Sequence, residues 1–175
     1  MQVLGLLLGL QASFARAQLD SYDVREATIE GVHNALYGGL ASCREIVESF
    51  ITRIDTYNPT LNAIITLNPN ALSLADEKDF ALAAGNGTGA LFCIPVLLKD
   101  NYDTKYMNTT GGCLDLAGSQ PSIDAPVVSA FKNAGAIILG KTNLHELALE
   151  GLSVSSLGGQ TVNPYDHTRT PGGSS

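Results

Sequence analysis

Two short apolar runs, each bordered by polar residues, constrain the fold of this 175-residue chain more strongly than any other feature. The run Ile94–Leu98 is followed at once by Lys-Asp-Asn, and Ala136–Leu139 follows a helical pattern over residues 125–133. Continuous apolar strands of this length are typical of a sheet that is covered on both faces. Their alternation with helices predicts an α/β fold, in which a β-sheet lies between helical layers.

The remaining apolar periodicity predicts helices over residues 23–36, 42–58 and 69–84, and a strand over 63–67. Ser42 and Glu45 have the spacing of a capping box, and Asn58-Pro59 predicts the end of that helix. From Gly151 onward, 15 of 25 residues are Gly, Ser, Thr or Pro, and no apolar period continues. A long loop of this composition is uncommon unless it serves a function.

The N-terminus has the pattern of a secretory signal peptide. An apolar run of eight residues, Val3–Leu10, precedes the small-residue sequence Ala15-Arg16-Ala17. Such a run is too short to span a bilayer, which needs about 20 apolar residues. We therefore expect residues 1–17 to be removed and residues 18–175 to form the mature, secreted chain. The alternative is that the run forms an apolar first helix of the mature fold.

Two sequons agree with a secreted protein, because Asn86-Gly87-Thr88 and Asn108-Thr109-Thr110 both fit N-x-S/T. We expect N-glycosylation at Asn86 and Asn108. The chain contains three cysteines, so at least one of them is free or pairs outside the chain. The pattern alone does not say which two pair.

Charge and motif spacing exclude several functions. Ten basic against seventeen acidic residues leave a net charge of −7, so a nucleic-acid partner is not expected. Residues 135–142 match the P-loop pattern G-x-x-x-x-G-K-T, but the four middle residues are the apolar strand and not a phosphate-binding loop. His145-Glu146 begins like the zinc motif H-E-x-x-H, yet Leu149 occupies the second ligand position. We expect no metal site, and a helix that begins at Asn143.

Two polar features remain as candidates for chemistry. Lys99 follows a buried strand directly, at the strand end where α/β sheets place their sites. If the Lys99 side chain is not buried, it extends into solvent and has no catalytic role. If it is buried, its amine loses proton affinity and can act as a neutral base. The stretch Pro171–Ser175 reads Pro-Gly-Gly-Ser-Ser, which is either a flexible linker or a segment whose glycines permit unusual backbone geometry.

Together these stretches resemble the amidase signature family. The resemblance is carried, in the order of the family, by residues 94–101, 124–128, 133–146, 159–164 and 171–175. The chain is similar in particular to secreted fungal-type amidases, which are related to the A-type subunit of glutamyl-tRNA amidotransferase. The resemblance implies the N-terminal part of the amidase signature fold, a mixed β-sheet covered by helices on both faces. It also implies a small-molecule amide as substrate and no cofactor.

In this family amides are hydrolysed by a Ser–cis-Ser–Lys triad. The resemblance assigns Lys99 as the base and Ser174, in a cis peptide, as the relaying serine. Ser153, Ser155 and Ser175 are expected to line the substrate pocket. The acyl-forming serine of the family lies beyond Ser175, so we expect this chain to be the N-terminal portion of an amidase domain and inactive alone.

Two alternatives stay open beside hydrolysis by a complete parent protein. One is an amidotransferase A-type subunit that releases ammonia from glutamine, and the other is a non-catalytic remnant. The predicted signal peptide and sequons favour the secreted enzyme. We expect no membrane partner for the mature chain, and the sequence leaves its oligomeric state open.

Overall fold

The computed structural model describes residues 22–174, so the predicted signal peptide and Ser175 lie outside the described residues. This part of the chain forms four α-helices and five strands, with single 3₁₀ turns at Leu114–Leu116 and Glu146–Ala148. In chain order the elements are α1 (Ile29–Tyr37), α2 (Cys43–Leu61), β1 (Ile64–Leu67), α3 (Ala71–Ala83), β2 (Pro95–Lys99), α4 (Pro126–Asn133), β3 (Ile137–Thr142), β4 (Val154–Ser155) and β5 (Gly159–Gln160).

The main sheet has three strands in the order β1-β3-β2. The central strand β3 runs antiparallel to β1 and parallel to β2, so the sheet is mixed, as the resemblance implied. Thr142 pairs with Ile64 on one side and with Lys99 on the other. Because these pairs lie at the carboxyl ends of β2 and β3, the loops that follow both strands begin at the same edge of the sheet.

Helices cover both faces of this sheet. The larger apolar cluster packs α1, α2 and α3 against Ile137 and Leu139, and the smaller packs α4 against Ile138. Neighbouring residues of β3 enter opposite clusters because successive side chains of a strand point to opposite faces. The prediction of an α/β fold with helices on both faces is confirmed.

A disulfide joins two fully buried cysteines, Cys43 and Cys93. It connects the first residue of α2 to the turn before β2, across a sequence separation of 50 residues. Cys113 remains a free, half-buried thiol. The disulfide thus fastens the helical layer to the strand that ends at Lys99.

Two predicted helix boundaries are wrong. The first helix begins at Ile29 rather than Asp23, because the Thr28 hydroxyl caps it by accepting from the Gly31 N–H at 2.9 Å. The second helix has the predicted capping box but continues through Pro59 to Leu61. A proline in the last turn removes only one backbone donor, and Asn62 in a left-handed conformation (φ 53°) ends the helix instead.

The two motif interpretations have different outcomes. The P-loop match forms strand β3, as predicted, although the strand covers Ile137–Thr142 rather than residues 136–139. The helix expected to begin at Asn143 is wrong, since only the 3₁₀ turn Glu146–Ala148 forms there. Leu147 and Ala148 have φ values of 51° and 58°, which no right-handed α-helix contains.

Candidate active site

Lys99 is the last residue of β2, and its side chain is half-buried beside the end of β3. The chain turns directly after it: the Asp100 N–H donates to the Thr142 carbonyl at 3.2 Å. The Tyr102 N–H then donates to the Lys99 carbonyl at 3.0 Å. Two backbone hydrogen bonds therefore fix the backbone of Lys99 at the sheet edge.

Ser174 lies at this edge too, although 75 residues separate it from Lys99. The Lys99 Nζ is hydrogen-bonded to the Ser174 Oγ. Residues 172–174 are called the serine segment. Its backbone is held by a separate contact, because the His145 N–H donates to the Ser174 carbonyl at 3.1 Å. The structure thus brings together the two residues that the resemblance assigned to catalysis.

The glycines before Ser174 give its segment the required shape. Gly172 and Gly173 have φ values of +80° and +70°. Side chains disfavour this left-handed region, which glycine enters at little cost. The Gly-Gly pair is therefore a conformational element of the site, because it sets the backbone path that leads to Ser174.

The expected cis peptide bond at Ser174 is not present, since residues 22–174 contain only trans peptide bonds. A cis bond before a residue other than proline costs about 2.5–4 kcal/mol. It persists only where the surrounding structure enforces it. In this structure Ser174 follows an ordinary trans peptide bond.

The predicted pocket serines have different positions. Ser153 is fully buried next to the serine segment, and its hydroxyl donates to the Gly173 carbonyl at 3.4 Å. Ser155 is also buried, but its hydroxyl donates to Asn143 Oδ1 at 3.1 Å and accepts from the Gly158 N–H at 2.9 Å. Ser175 lies outside the described residues. Ser153 therefore contacts the candidate site, whereas the Ser155 hydroxyl is engaged within the fold.

Asn143 is a residue that the sequence analysis misassigned as a helix cap. It directly follows β3, is 2% exposed, and accepts from the Leu144 N–H at 2.9 Å. Its Nδ2 donates to the carbonyls of Asn62, Gly158 and Gly159 at 3.2–3.4 Å. This side chain fastens the β4–β5 hairpin to the end of α2.

The sequence analysis missed Lys141, which it treated only as part of the P-loop match. Lys141 lies on β3, is 0% exposed, and forms an ion pair with buried Asp100 at 3.1 Å. Burial lowers the pKa of Lys141, and the Asp100 carboxylate opposes that shift. The available signal was a lysine inside an otherwise apolar strand, since such a residue needs a buried partner.

Glu146 holds the loop beside the serine segment. Its carboxylate accepts from the Ser156 N–H at 2.7 Å, and hydrogen bonding from Ser156 lowers the pKa of Glu146. His145, next to it, accepts from the Val154 N–H at 3.5 Å through Nδ1. These contacts connect the 3₁₀ turn to the β4–β5 hairpin.

Among residues 22–174, no helix combines the length and the apolar character that a membrane span requires.

Comparisons with known proteins identify the family of this chain. The sequence profile of the Amidase family matches residues 45–175. The chain is 38% identical over 149 residues to the A-type subunit of the glutamyl-tRNA(Gln) amidotransferase of Prochlorococcus marinus, covering 85% of this chain and 31% of that protein. It is 36% identical over 170 residues to a putative amidase of Schizosaccharomyces pombe, covering 93% and 29% respectively.

The fold is similar to that of the native peptide amidase from Stenotrophomonas maltophilia, with a TM-score of 0.80 and 38% identity. That likeness covers 85% of this chain and 32% of the peptide amidase. The chain therefore spans about a third of the length of the relatives it matches. The chain belongs to the amidase signature family, a family of hydrolases that act on carbon–nitrogen bonds.

Proposed function

We propose that this chain supplies two of the three catalytic residues of an amide hydrolase, the base Lys99 and the relaying serine Ser174. The hydrogen bond between the Lys99 Nζ and the Ser174 Oγ is the observation that carries the proposal. In the full-length protein, meaning this chain with the continuation its relatives have, a further serine would act as the nucleophile. The 175-residue chain alone would then be inactive on amides.

In the proposed reaction, a proton passes from the nucleophilic serine through Ser174 to Lys99, and a proton then returns by the same route to the leaving amine. The nucleophilic serine attacks the amide carbon while its proton passes to Ser174 and the Ser174 proton passes to the neutral Lys99 amine. The same two groups then return a proton to the departing amine as the carbon–nitrogen bond breaks. Water hydrolyses the resulting acyl-enzyme. Ser153, whose hydroxyl donates to the Gly173 carbonyl, and Ser175, the next residue in the sequence after Ser174, would line the substrate pocket, together with Ser155 if its hydroxyl is released from Asn143.

Secretion is part of the proposal. The buried Cys43–Cys93 disulfide supports it, because disulfides persist in oxidising compartments such as the secretory pathway. We propose that residues 1–17 are cleaved as a signal peptide. Sequencing the N-terminus of the mature protein should find Gln18, and a retained Met1 would contradict the proposal.

Glycosylation at Asn86 and Asn108 accompanies this proposal. Asn86 is exposed in the loop after α3, whereas Asn108 is half-buried and its amide donates to the Ala117 carbonyl at 2.7 Å. We therefore expect Asn86 to carry the larger share of glycan. The Asn86→Gln and Asn108→Gln variants, compared by electrophoretic mobility of the secreted protein, measure each share.

The alternative enzyme function is an amidotransferase A-type subunit. Its support is the similarity to the corresponding subunit of glutamyl-tRNA(Gln) amidotransferase, whereas the disulfide disfavours a reducing compartment. Glutaminase activity that depends on partner chains would favour it. A non-catalytic remnant is the third possibility, and it predicts no activity in any longer form of the protein.

Substitution of the two proposed catalytic residues in the full-length protein tests the hydrolase. Lys99→Arg and Ser174→Ala should each lower kcat on small amides by about 10²–10⁴-fold, the usual contribution of positioned acid–base groups. Arginine is a discriminating replacement because guanidinium keeps its charge and cannot act as a base.

Two residues outside the site supply matched controls: Lys78→Arg on α3 and Ser122→Ala should leave kcat unchanged. If Lys99→Arg keeps more than a tenth of wild-type activity, Lys99 is not the base. A full-length wild-type protein that hydrolyses no amide would reject the function as a whole.

A further inference from the structure

Lys141 is a buried cation that the proposed reaction does not use. It lies on the central strand β3, where it pairs in register with Leu98, the neighbour of Lys99. Its side chain is 0% exposed, and that of its ion-pair partner Asp100 is 1% exposed. Even a well-paired buried ion pair is often no more stabilising than apolar residues of similar volume. A role other than stability is therefore worth testing for Lys141.

The ammonium of Lys141 is surrounded by acceptors from a single loop. It donates to Asp100 Oδ1 at 3.1 Å, the Tyr102 carbonyl at 2.9 Å and the Thr109 hydroxyl at 3.0 Å, and the Asn108 carbonyl lies at 3.3 Å. All four belong to residues 100–109, the segment that directly follows Lys99. Residues 100–109 therefore wrap around the Lys141 ammonium and are held by its hydrogen bonds.

Asp100 extends this arrangement towards the glycine turn that follows. Its second carboxylate oxygen accepts from the N–H and the hydroxyl of Thr110, and its carbonyl accepts from the Gly111 N–H at 2.8 Å. We call Lys141, Asp100, Thr109 and Thr110 the Lys141 cluster.

The loop held by this cluster reaches the segment that carries Ser174. The Gly111 carbonyl accepts from the Leu147 N–H at 2.7 Å. Two residues earlier in the same turn, the His145 N–H donates to the Ser174 carbonyl. The loop that starts at Lys99 therefore contacts the turn that holds Ser174, so that backbone hydrogen bonds connect the cluster to both members of the pair.

We propose that Lys141 is a positioning residue, whose buried ammonium fixes the loop after Lys99 and thereby directs the Lys99 amine at Ser174. This inference rests on the proposed hydrolase function. A buried ion pair that serves stability alone is the competing interpretation. The two differ in one respect: only positioning changes the chemistry of Lys99 in a variant that still folds.

Lys141→Met tests the proposal because it keeps the length of the side chain and removes its charge. In the full-length protein we expect kcat to fall by about 10²-fold, since a misplacement of about 1 Å can cost this much. KM should change less than threefold. Lys141→Arg, which keeps a cation, should recover part of the loss. Arg44→Met on α2, whose ion pair with Asp76 on α3 is 43% exposed on both sides, is the control cation outside this loop and should keep wild-type kcat.

A second readout does not depend on activity. Acetic anhydride labels free amines, and mass spectrometry can compare the labelling rate of Lys99 with that of half-buried Lys78 on α3, outside the loop that Lys141 holds, in the same sample. Loss of the Lys141 charge should raise the relative rate at Lys99 at least threefold, because the amine leaves Ser174. This comparison remains informative if the wild-type protein hydrolyses no amide, so failure of the function and failure of the positioning role are distinguishable.

If Lys141→Met does not fold, Thr109→Val decides, because it removes one acceptor of the ammonium and leaves the sequon at Asn108 intact. We expect it to fold, to lose about tenfold in kcat and to label faster at Lys99. A folded variant with wild-type kcat and wild-type labelling of Lys99 would overturn the proposal.

Discussion

The two ends of strand β2 are held by different kinds of interaction. Before Pro95, the fold depends on apolar packing of α1, α2 and α3 and on the Cys43–Cys93 disulfide. After Lys99, residues 100–112 and 143–174 contain little regular structure and depend on buried polar side chains such as Lys141 and Asn143. Apolar packing is not directional, whereas a hydrogen bond weakens steeply when its donor and acceptor are misaligned.

This difference indicates how stability and function are divided. The helical layer supplies free energy of unfolding, because burial of apolar surface is not directional. The polar loops supply geometry, because each buried donor there has a specific acceptor. Substitutions in the helical layer should therefore lower the stability of the whole fold, whereas substitutions of the buried polar residues after β2 should act locally on the loops that these residues hold.

The largest effect on stability is expected in the helical layer. Ile46 on α2 is 0% exposed within the larger apolar cluster. Ile46→Ala should lower the free energy of unfolding by about 2–5 kcal/mol, through lost burial and the cavity left behind. Urea unfolding of residues 18–175 measures the change.

Its control is Ile123→Ala, because Ile123 is 72% exposed. This variant should stay within about 0.5 kcal/mol of wild type. Equal losses for the two variants would contradict the assignment of the stabilising core to the helical layer.

Removal of the disulfide should have the next largest effect. The double variant Cys43→Ala, Cys93→Ala should lose about 2–4 kcal/mol, since its unfolded chain is no longer constrained by the cross-link. Cys113→Ala changes a thiol outside the cross-link and should have a much smaller effect. Reductant should destabilise the wild type and leave the double variant unchanged. If reductant leaves the wild type unaffected, the cross-link is not present in the protein.

Asn143 tests the polar side of the comparison. Asn143→Ala removes the donors to three carbonyls and should cost about 1–3 kcal/mol, because buried groups then lack partners. Asn143→Asp keeps the shape and the acceptor but loses the donors, so it should be destabilised too. A hydrogen-exchange measurement should locate the loss in the β4–β5 hairpin. A uniform loss of hydrogen-exchange protection across α1–α3 would contradict the separation of the helical layer from the polar loops.

Sequence reasoning succeeded where the determining interactions are local. The apolar strands and the Ser42–Glu45 capping box depend on residues within a few positions, so their patterns predicted them. The pairing of Cys43 with Cys93 depends on how α2 packs beside β2, which no local pattern encodes. The rule that proline ends a helix fails at Pro59, because a proline in the last turn of α2 removes only one hydrogen bond.

The candidate site was predictable to a different degree. Lys99 and Ser174 came from the resemblance to a family, since 75 residues separate them and no spacing rule joins them. The burial of Lys141 was missed because its acceptors lie 32–41 residues earlier in the chain. Glycine-rich composition suggested a linker, whereas in the structure Gly172 and Gly173 both have left-handed backbone angles and lead the chain to Lys99.

The smallest effect concerns acid pH. Hydrogen bonds from Ser156 lower the pKa of Glu146 below its ordinary value of 4.5. A carboxyl group with a lowered folded pKa stabilises the fold above its unfolded pKa, and this contribution disappears as pH falls through the folded pKa. The difference in thermal stability between wild type and Glu146→Gln should therefore be constant above pH 5 and should shrink below pH 4.5. A difference that grows on acidification would contradict the role of Glu146.

A double-mutant cycle on Lys99 and Ser174 tests the central claim most directly. The claim is that these residues, brought together at the end of β2, act as one proton-relay unit in the full-length protein. The measurement compares kcat for Lys99→Ala, Ser174→Ala and the double variant. Members of one catalytic unit are strongly non-additive, so the double variant should be no more than about threefold slower than the slower single variant. Losses that multiply would mean that Lys99 and Ser174 act independently, and the relay proposed here would be wrong.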